Sequence, residues 1–395
     1  MIDFELAPLT QEVADMIHKF NVDVVRDLSR YYDQYEHEHD DMPEDERALL
    51  RKNLMAIQAK AMSGEKPSEG RGLTQVIMAE ERAWGANIFG GAATRLGLGN
   101  SAIMAVGTPE QKARFNGLYC AMAITEPSCG SDTAAIRATA KLDPDTNEWI
   151  LNGEKIFVTA GKECEAVVVW ASLDRSKGRP AIKSFVVEKT RPGISMTKLE
   201  DKLGIRASDT ASIVLEDCRI PYDNILGSPE IQEKKGGFRG VMATFDATRP
   251  SVAAGAVGVA RAALEFTKEK FEEEGYTFPY DRGLHQLSAV QKEILEMEAE
   301  LDAARLLVWK AGSMLDSKQR NSLEASSAKA KAGRAASIIC QKCVALLGPL
   351  GYSCDWLVEK WMRDVKITDL FEGTGQINML IVARNILQFG RDKLK

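Results

Sequence analysis

Histidine is scarce in this chain, and positive charge never gathers in one place. Among 395 residues there are four His, which leaves little material for a Ser-His-Asp relay and argues against a hydrolase of that kind. Two of them, His37 and His39, fall in Glu-His-Glu-His-Asp-Asp ahead of Pro43. An i, i+2 pair in a charged stretch reads as a solvated linker rather than a metal trap, so no metal is expected. The net charge is −6 with no basic tract, a poor match to nucleic acid. Long apolar runs are missing too. The longest low-charge stretch, Pro250 to Ala260, is short and rich in Ala and Gly, well below bilayer length. The first residues carry Asp3, Glu5, Glu12 and Asp15, without the positive and apolar regions of a signal peptide. The expectation is a soluble, cytoplasmic protein with no membrane partner. Cysteine points the same way: seven residues, an odd number without repeating spacing, suit reduced thiols. Cys340 and Cys343 form a CxxC inside the apolar stretch Ala335 to Leu347, where buried small side chains are the simpler reading than a redox pair.

What is present is periodicity. From Leu9 to about Gly117 the pattern is helical, with Met16, Phe20, Val24 and Leu28 at three- and four-residue steps and Leu49, Leu50 and Leu54 opening another segment. Residues 63–72 (SGEKPSEGRG) read as a loop, and Leu73 to Trp84 as a helix. Small-residue helices continue to Gly107, and Thr108-Pro109-Glu110-Gln111 is a helix start. Near Tyr119 the period changes. Trp149 to Thr159 is expected to be a hairpin turning at Asn152-Gly153. Ala166 to Trp170, Ile182 to Glu188 and Ser212 to Glu216 read as strands, the last ended by Asp217, Cys218 and Pro221. After Lys234-Lys-Gly-Gly237 the helical period returns through Phe238–Lys270, Leu284–Ser313, Leu323–Leu347 and Ile377–Leu387. These are long enough to pair as an antiparallel bundle. The order is helices, a β block, then helices, with no internal repeat.

The chemistry concentrates in Asp369 to Arg384, which places Glu372 directly before Gly-Thr-Gly and a helical run with Ile377, Leu380, Ile381 and Leu387 on one face. Two glycines let backbone approach a ligand closely. By itself the segment is equally a helix N-terminus with a favourable acid. Phe-Glu-Gly-Thr-x-Gln-Ile nonetheless resembles the signature of the flavin-dependent acyl-CoA dehydrogenases, in which this Glu is the base that removes the α-proton of a fatty acyl thioester. Ala123 to Asp132 (AITEPSCGSD), which alone could be a turn before a strand, is similar to the family's TEPxxGSD loop. The resemblance implies FAD as cofactor, with Ile124 and Thr125 at the flavin ring and Ser131 between flavin and the CoA arm. Phe157-Val-Thr159 matches the aromatic-x-Thr element beside the isoalloxazine, with Phe157 where many members carry Trp. Phe245 to Gly258 (FDATRPSVAAGAVG) fits at almost every position. Asp246 and Arg249 could be a plain surface pair, but in the family the matching Phe245, Asp246 and Arg249 line the acyl-CoA channel. Thr248 stands where a minority of branches put their base, so Glu372 is the one candidate. Gly373 joins the substrate contacts, and Thr374 and Gln376 join the flavin contacts.

The resemblance covers Leu9 to Leu387 and implies the family architecture. That is an α+β multidomain chain with an N-terminal helical domain (1–118), a middle β-barrel or sandwich domain (119–233) and a C-terminal four-helix bundle (234–395). It also implies oxidation of an acyl-CoA to a 2-enoyl-CoA, with electrons passed to an electron-transfer flavoprotein. The α-proton is too weakly acidic for a free carboxylate, so the developing enolate needs hydrogen bonds from the Glu372 N–H and the flavin ribityl chain. The helix N-terminus favours the Glu372 anion by roughly 0.3–1 kcal/mol. Desolvation is the larger effect and should tune the base toward neutrality. The pattern weakens at positions a subunit offers to its neighbour's flavin. The usual Arg falls on Thr277, the usual Gln on Ser288, and Ala345 to Tyr352 (ALLGPLGY) loses a Gln and a Gly, with Arg282 a possible substitute. Arg363-Asp364, Thr374 and Gln376 remain. Either a homotetramer has drifted, or a paralogous subunit completes the sites of a heterotetramer. An enoyl-CoA reductase running the chemistry backwards, and a silent scaffold subunit, are the other readings. A flavin monooxygenase or nitroalkane oxidase fits poorly, because those generally lack the Glu.

Overall fold

The computed structural model describes residues 6–34, 43–62, 70–86, 97–231, 238–317 and 319–389. The linker with His37 and His39, residues 63–69 of the expected loop and the 234–237 break lie outside these. The chain divides into two compact units, Phe89–Asp201 with Ser208–Phe245, and Met1–Ile88 with Lys202–Ala207 and Asp246–Lys395.

The first unit is built on one seven-stranded sheet. Two short helices, α5 (Leu98–Val106) and α6 (Pro109–Arg114), precede it, and Thr108 caps α6 by accepting from Gln111 N. The strands are β1 (Cys120–Ala123), β2 (Thr139–Asp143), β3 (Glu148–Thr159), β4 (Ala166–Ser172), β5 (Ile182–Glu188), β6 (Ile194–Leu199) and β7 (Thr210–Pro221). They run in the order β1-β4-β2-β3-β7-β6, with β5 also on β4. β4 is buried at every position, as a valine-rich run covered on both faces should be. The core is Trp149, Leu151, Val167, Val169, Phe185, Ile213, Leu215 and Ile220 with their neighbours.

Asn152-Gly153 does not turn a hairpin. β3 runs straight through it as one strand of 12 residues, and the hairpin turn is the one before it, between Asp143 and Glu148. The pair marks a bulge opposite β7. There Asn152 Nδ2 donates to Asp217 Oδ1 at 3.0 Å, and Asp217 N donates to Asn152 Oδ1 at 2.8 Å. Those two bonds satisfy the groups that a turn would otherwise have claimed. For the same reason Asp217, at φ 46°, does not end β7, which continues to Pro221.

The second unit is helical. It contains α1 (Pro8–Phe20), carried through a π turn (Asn21–Val25) into α2 (Arg26–Gln34), then α3 (Glu44–Met62) and α4 (Arg71–Gly85). Next come α7 (Phe238–Glu273), which lies in this unit from Asp246 onward, α8 (Ala289–Asp316), α9 (Ser322–Leu347), α10 (Pro349–Tyr352), α11 (Val358–Val365) and α12 (Gly375–Leu387). The small side chains of α7 (Ala253, Ala254, Ala256, Ala260) and α9 (Ala328, Ala332, Ala335, Ala336) let helix axes approach closely. Val257, Met297, Leu301, Val308 and Ile339 fill the space between them. Cys340 and Cys343 lie in this core as free thiols, and burial pushes the Cys343 thiol up to about 12. Lys202–Ala207 belongs to this unit because Ile205 N donates to Asp364 Oδ1 at 2.6 Å and Arg363 Nη1 to the Leu203 carbonyl at 3.0 Å. Among the described residues no helix is long and apolar enough to cross a membrane, and no three His, Cys, Asp or Glu gather as a metal would require.

Candidate functional site

A tight turn, rather than the helix after it, presents the carboxylate at position 372. α11 ends in a 3-10 turn (Lys366–Asp369), and the chain then reverses into α12. Glu372 has φ 57° and Gly373 φ 86°, two successive left-handed residues. A side chain in that region costs about 1–2 kcal/mol, so the surroundings must hold it there. They do so at the carbonyls. Arg249 Nε donates to the Glu372 carbonyl at 3.1 Å, and Lys329 Nζ and Asn378 Nδ2 donate to the Gly373 carbonyl at 2.6 and 2.8 Å. Thr374 closes the turn as the cap of α12, accepting from Ile377 N at 3.2 Å. Thr248 Oγ1 donates to Glu372 Oε2 at 2.8 Å. Burial holds the Glu372 carboxyl above the usual carboxylate range, against the pull of the Thr248 hydroxyl, the Arg249 guanidinium and the Lys329 ammonium.

α7 carries the groups behind this turn. Pro250 sits inside that helix and has no N–H to give the Asp246 carbonyl. Asn321 Nδ2 fills the gap at 3.2 Å. Arg249 is only 2% exposed, and its Nη1 lies 3.3 Å from Asp246 Oδ1 and 3.4 Å from Ser326 Oγ. Ser322 Oγ donates to the same Asp246 oxygen at 3.2 Å. Burial raises the Asp246 carboxyl, with Arg249 opposing. The Asp246–Arg249 pair is therefore an internal one, far from a solvated surface bridge.

One face of α9 serves all of these groups. Ser322, Ser326, Lys329 and Gly333 follow at four-, three- and four-residue steps. They meet Asp246, Arg249, the Gly373 carbonyl and the Thr368–Asp369 backbone in turn. The sequence reading passed over this face. Its signal was a polar stripe of helical period within an Ala-rich helix.

In the β unit, Ile124 and Thr125 follow β1 directly, and a fully buried ion pair fixes them to β3. Lys155 Nζ lies 2.7 Å from Glu126 Oε1 and donates to the Ile124 carbonyl at 3.2 Å. Glu126 also accepts from Arg137 N at 2.6 Å and Ala138 N at 2.9 Å. Burial pulls the Lys155 ammonium below its usual value, and Glu126 pulls it back. Ile156 N donates to the Thr125 carbonyl at 2.9 Å. Here β3 bulges away from β7, and Phe157, at φ 54°, stands 59% exposed. Thr159 follows, exposed, and Ser131 is exposed beyond Gly130, where an added Cβ would meet only Thr125 Cγ2, at 3.8 Å. An aromatic face aimed outward by a bulge, near hydroxyl side chains, suits the flavin that the resemblance implies. Phe245 packs on the Ile124, Cys129, Ile136, Trp170 and Ile182 cluster.

The structure thus brings Asp246, Arg249, Glu372, Gly373 and Thr374 together in one unit, and Ile124, Thr125, Phe157 and Thr159 together in the other. Gln376 is exposed in the first turn of α12. Arg363 and Asp364 are spent internally, Arg363 on Asp33 at 2.6 Å and Asp364 on Ile205 N and Lys360. Two of the divergent positions take part in local contacts. Ser288 caps α8 through Gln291, and Gln291 Nε2 donates to the Thr277 carbonyl at 2.7 Å.

Comparison with known proteins gives the same family over both units. Residues 121–218 match the acyl-CoA dehydrogenase middle domain and residues 235–387 the acyl-CoA dehydrogenase C-terminal domain. The mitochondrial short-chain specific acyl-CoA dehydrogenase of Rattus norvegicus is 38% identical, over 72% of this chain and 68% of that protein. Acryloyl-CoA reductase (NADH) of Anaerotignum propionicum is 34% identical, over 73% of this chain and 72% of that protein. The solved butyryl-CoA dehydrogenase of Megasphaera elsdenii superposes with a TM-score of 0.81 at 28% identity, covering 98% of this chain and 100% of that one. With helices, sheet and helical bundle in the same order and both domains matched, this chain belongs to the acyl-CoA dehydrogenase family, FAD-dependent oxidoreductases acting on CH–CH bonds.

Proposed function

We propose that Glu372 is the base of an acyl-CoA dehydrogenase and takes the α-proton of a bound acyl-CoA, yielding a 2-enoyl-CoA. The observation that carries this is the turn itself: a lone carboxylate, held left-handed at φ 57° and kept more basic than usual by burial. Backbone strain held by three side chains at the turn's carbonyls is the kind that collects at reacting groups. A carboxyl tuned upward is a better proton acceptor at neutral pH than an ordinary one. The Glu372 N–H is the proposed donor to the thioester oxygen as charge develops there. Asp246, Arg249, Gly373, Phe245 and Ser131 are the proposed acyl-CoA contacts. Ile124, Thr125, Ser131, Phe157, Thr159, Thr374 and Gln376 would hold FAD. When bound, FAD supplies the acceptor for the β-hydride.

The names of the relatives make short acyl chains the first substrates to test, and the acryloyl-CoA reductase keeps reduction of an enoyl-CoA as the second reading. The partner is an electron-transfer flavoprotein. The assembly is a homotetramer, or a heterotetramer with a paralogous subunit, in the cytoplasm. The proposed domains are 1–118, 119–233 and 234–395. Flavin per subunit, measured alone and after co-expression with a candidate paralogue, separates the two assemblies.

The decisive measurement is anaerobic reduction of the bound flavin by butyryl-CoA in Glu372→Gln. General-base loss predicts a rate lower by about 10²–10⁴-fold, with flavin content unchanged. A wild-type rate would remove Glu372 from the role. Straight, branched and steroid-side-chain acyl-CoAs then define the chain accepted.

A further inference from the structure

Lys329 is a buried cation to which the proposed reaction gives no part. It is 1% exposed on α9, in a stretch otherwise made largely of Ala, Ser and Gly. Burying an ammonium is expensive unless it gains partners, so the partners it has gained indicate its use. Its Nζ donates to the Gly373 carbonyl at 2.6 Å. The charged groups facing it come from three places: Asp369 on the 3-10 turn, Arg249 on α7, and Glu372. Burial pulls the ammonium down to about 8, Asp369 and Glu372 pull it up, and Arg249 pulls it down.

Two features make this more than a filled space. Arg249 and Lys329 grip successive carbonyls, those of Glu372 and Gly373, on a turn whose two residues are both left-handed. Charge-assisted donors are about twice as strong as neutral ones, and this is the backbone that needs them. Lys329 also faces the Glu372 carboxyl through space, opposing the burial that disfavours its anion.

We propose that Lys329 is a positioning residue for the Glu372 base: it anchors the turn that carries the carboxylate and supplies the positive charge that faces it from α9. This rests on Glu372 being the base. The Asn378 amide shares the Gly373 carbonyl, so losing Lys329 leaves that carbonyl satisfied and the turn able to form.

The test uses the holoenzyme. Flavin reduction by butyryl-CoA is followed against pH in Lys329→Met and Lys329→Arg. Removing the cation moves the acid limb of the rate to higher pH. Lys329→Met is expected to be roughly tenfold slower at the acid end, converging on wild type as the base ionises. Lys329→Arg keeps the wild-type limb. An independent readout needs no turnover: the infrared carboxyl band that Glu372→Gln abolishes should persist to higher pH in Lys329→Met. If that variant does not fold, Lys329→Gln, which keeps an amide donor without the charge, reads the same band and limb. An unmoved limb with an unmoved band, even at a lower rate, overturns the role of Lys329 and leaves Glu372 as base. Wild-type activity in Glu372→Gln would instead overturn both.

Discussion

In the β unit, the residues proposed for the cofactor come from two short stretches, 123–132 and 155–159, tied by the Lys155–Glu126 pair and one backbone bond. In the helical unit, the turn at 372–373 is held by Thr248, Arg249, Lys329 and Asn378, and Ser322, Ser326 and Asn321 brace the groups behind it. One constellation depends on a buried ion pair and one backbone bond between β3 and the segment that follows β1. The other spreads its support over three helices. A single substitution should therefore be costly to the fold in the first and divided among partners in the second.

The contrast can be pressed hardest at Lys155. It is fully buried, and Lys155→Met would leave the Glu126 carboxylate enclosed without its cation. The expected cost is about 3–5 kcal/mol, read as a lower urea midpoint, with Glu126→Gln in the same chain recovering part of it. A loss below about 1 kcal/mol would mean the backbone donors Arg137 and Ala138 suffice for Glu126, and the two constellations are braced alike. Phe157 probes the opposite property. Its ring is exposed, so Phe157→Ala should leave the unfolding midpoint nearly unchanged. An aromatic contact is worth about 0.5–1.5 kcal/mol beyond its area, so the flavin Kd should rise between a few-fold and tenfold. Unaltered flavin affinity would leave the bulge at 156–157 without a use.

The same difference explains what could be read from the chain alone. The β-unit residues lie in contiguous motifs, and Glu372 lies in another, so short stretches were enough to carry the family resemblance from which their roles are proposed. The order of helices, sheet and helices was visible because period is a local property. Asn152-Gly153 misled because its usual meaning is a turn, while the Asp217 that converts it into a bulge is 65 positions away. Lys329, Ser326 and Asn321 were passed over for a similar reason. Each is ordinary in its own helix, and its meaning comes from a partner between 44 and 77 residues distant or, for Asn321, from a carbonyl that Pro250 leaves bare.

The finest distinction concerns stability against pH in Glu372→Gln. Burial raises the Glu372 carboxyl above the unfolded value. Between those two values the native chain keeps a proton that the unfolded chain has released. The unfolded state then binds fewer protons, so stability falls as pH rises through that window, and the full cost remains above it. Gln carries no such charge, and its amide oxygen can still accept from Thr248. Glu372→Gln should accordingly be the more stable protein at neutral pH, with the gap closing as pH drops below the ordinary carboxylate range. Chemical unfolding at the two pH extremes reads this directly. A variant less stable at neutral pH, by the same amount in acid, would make the carboxylate one more brace in the helical lattice. A gap that opens only on the neutral side marks it as a carboxylate the fold holds at a cost, which is what a base requires and a brace does not.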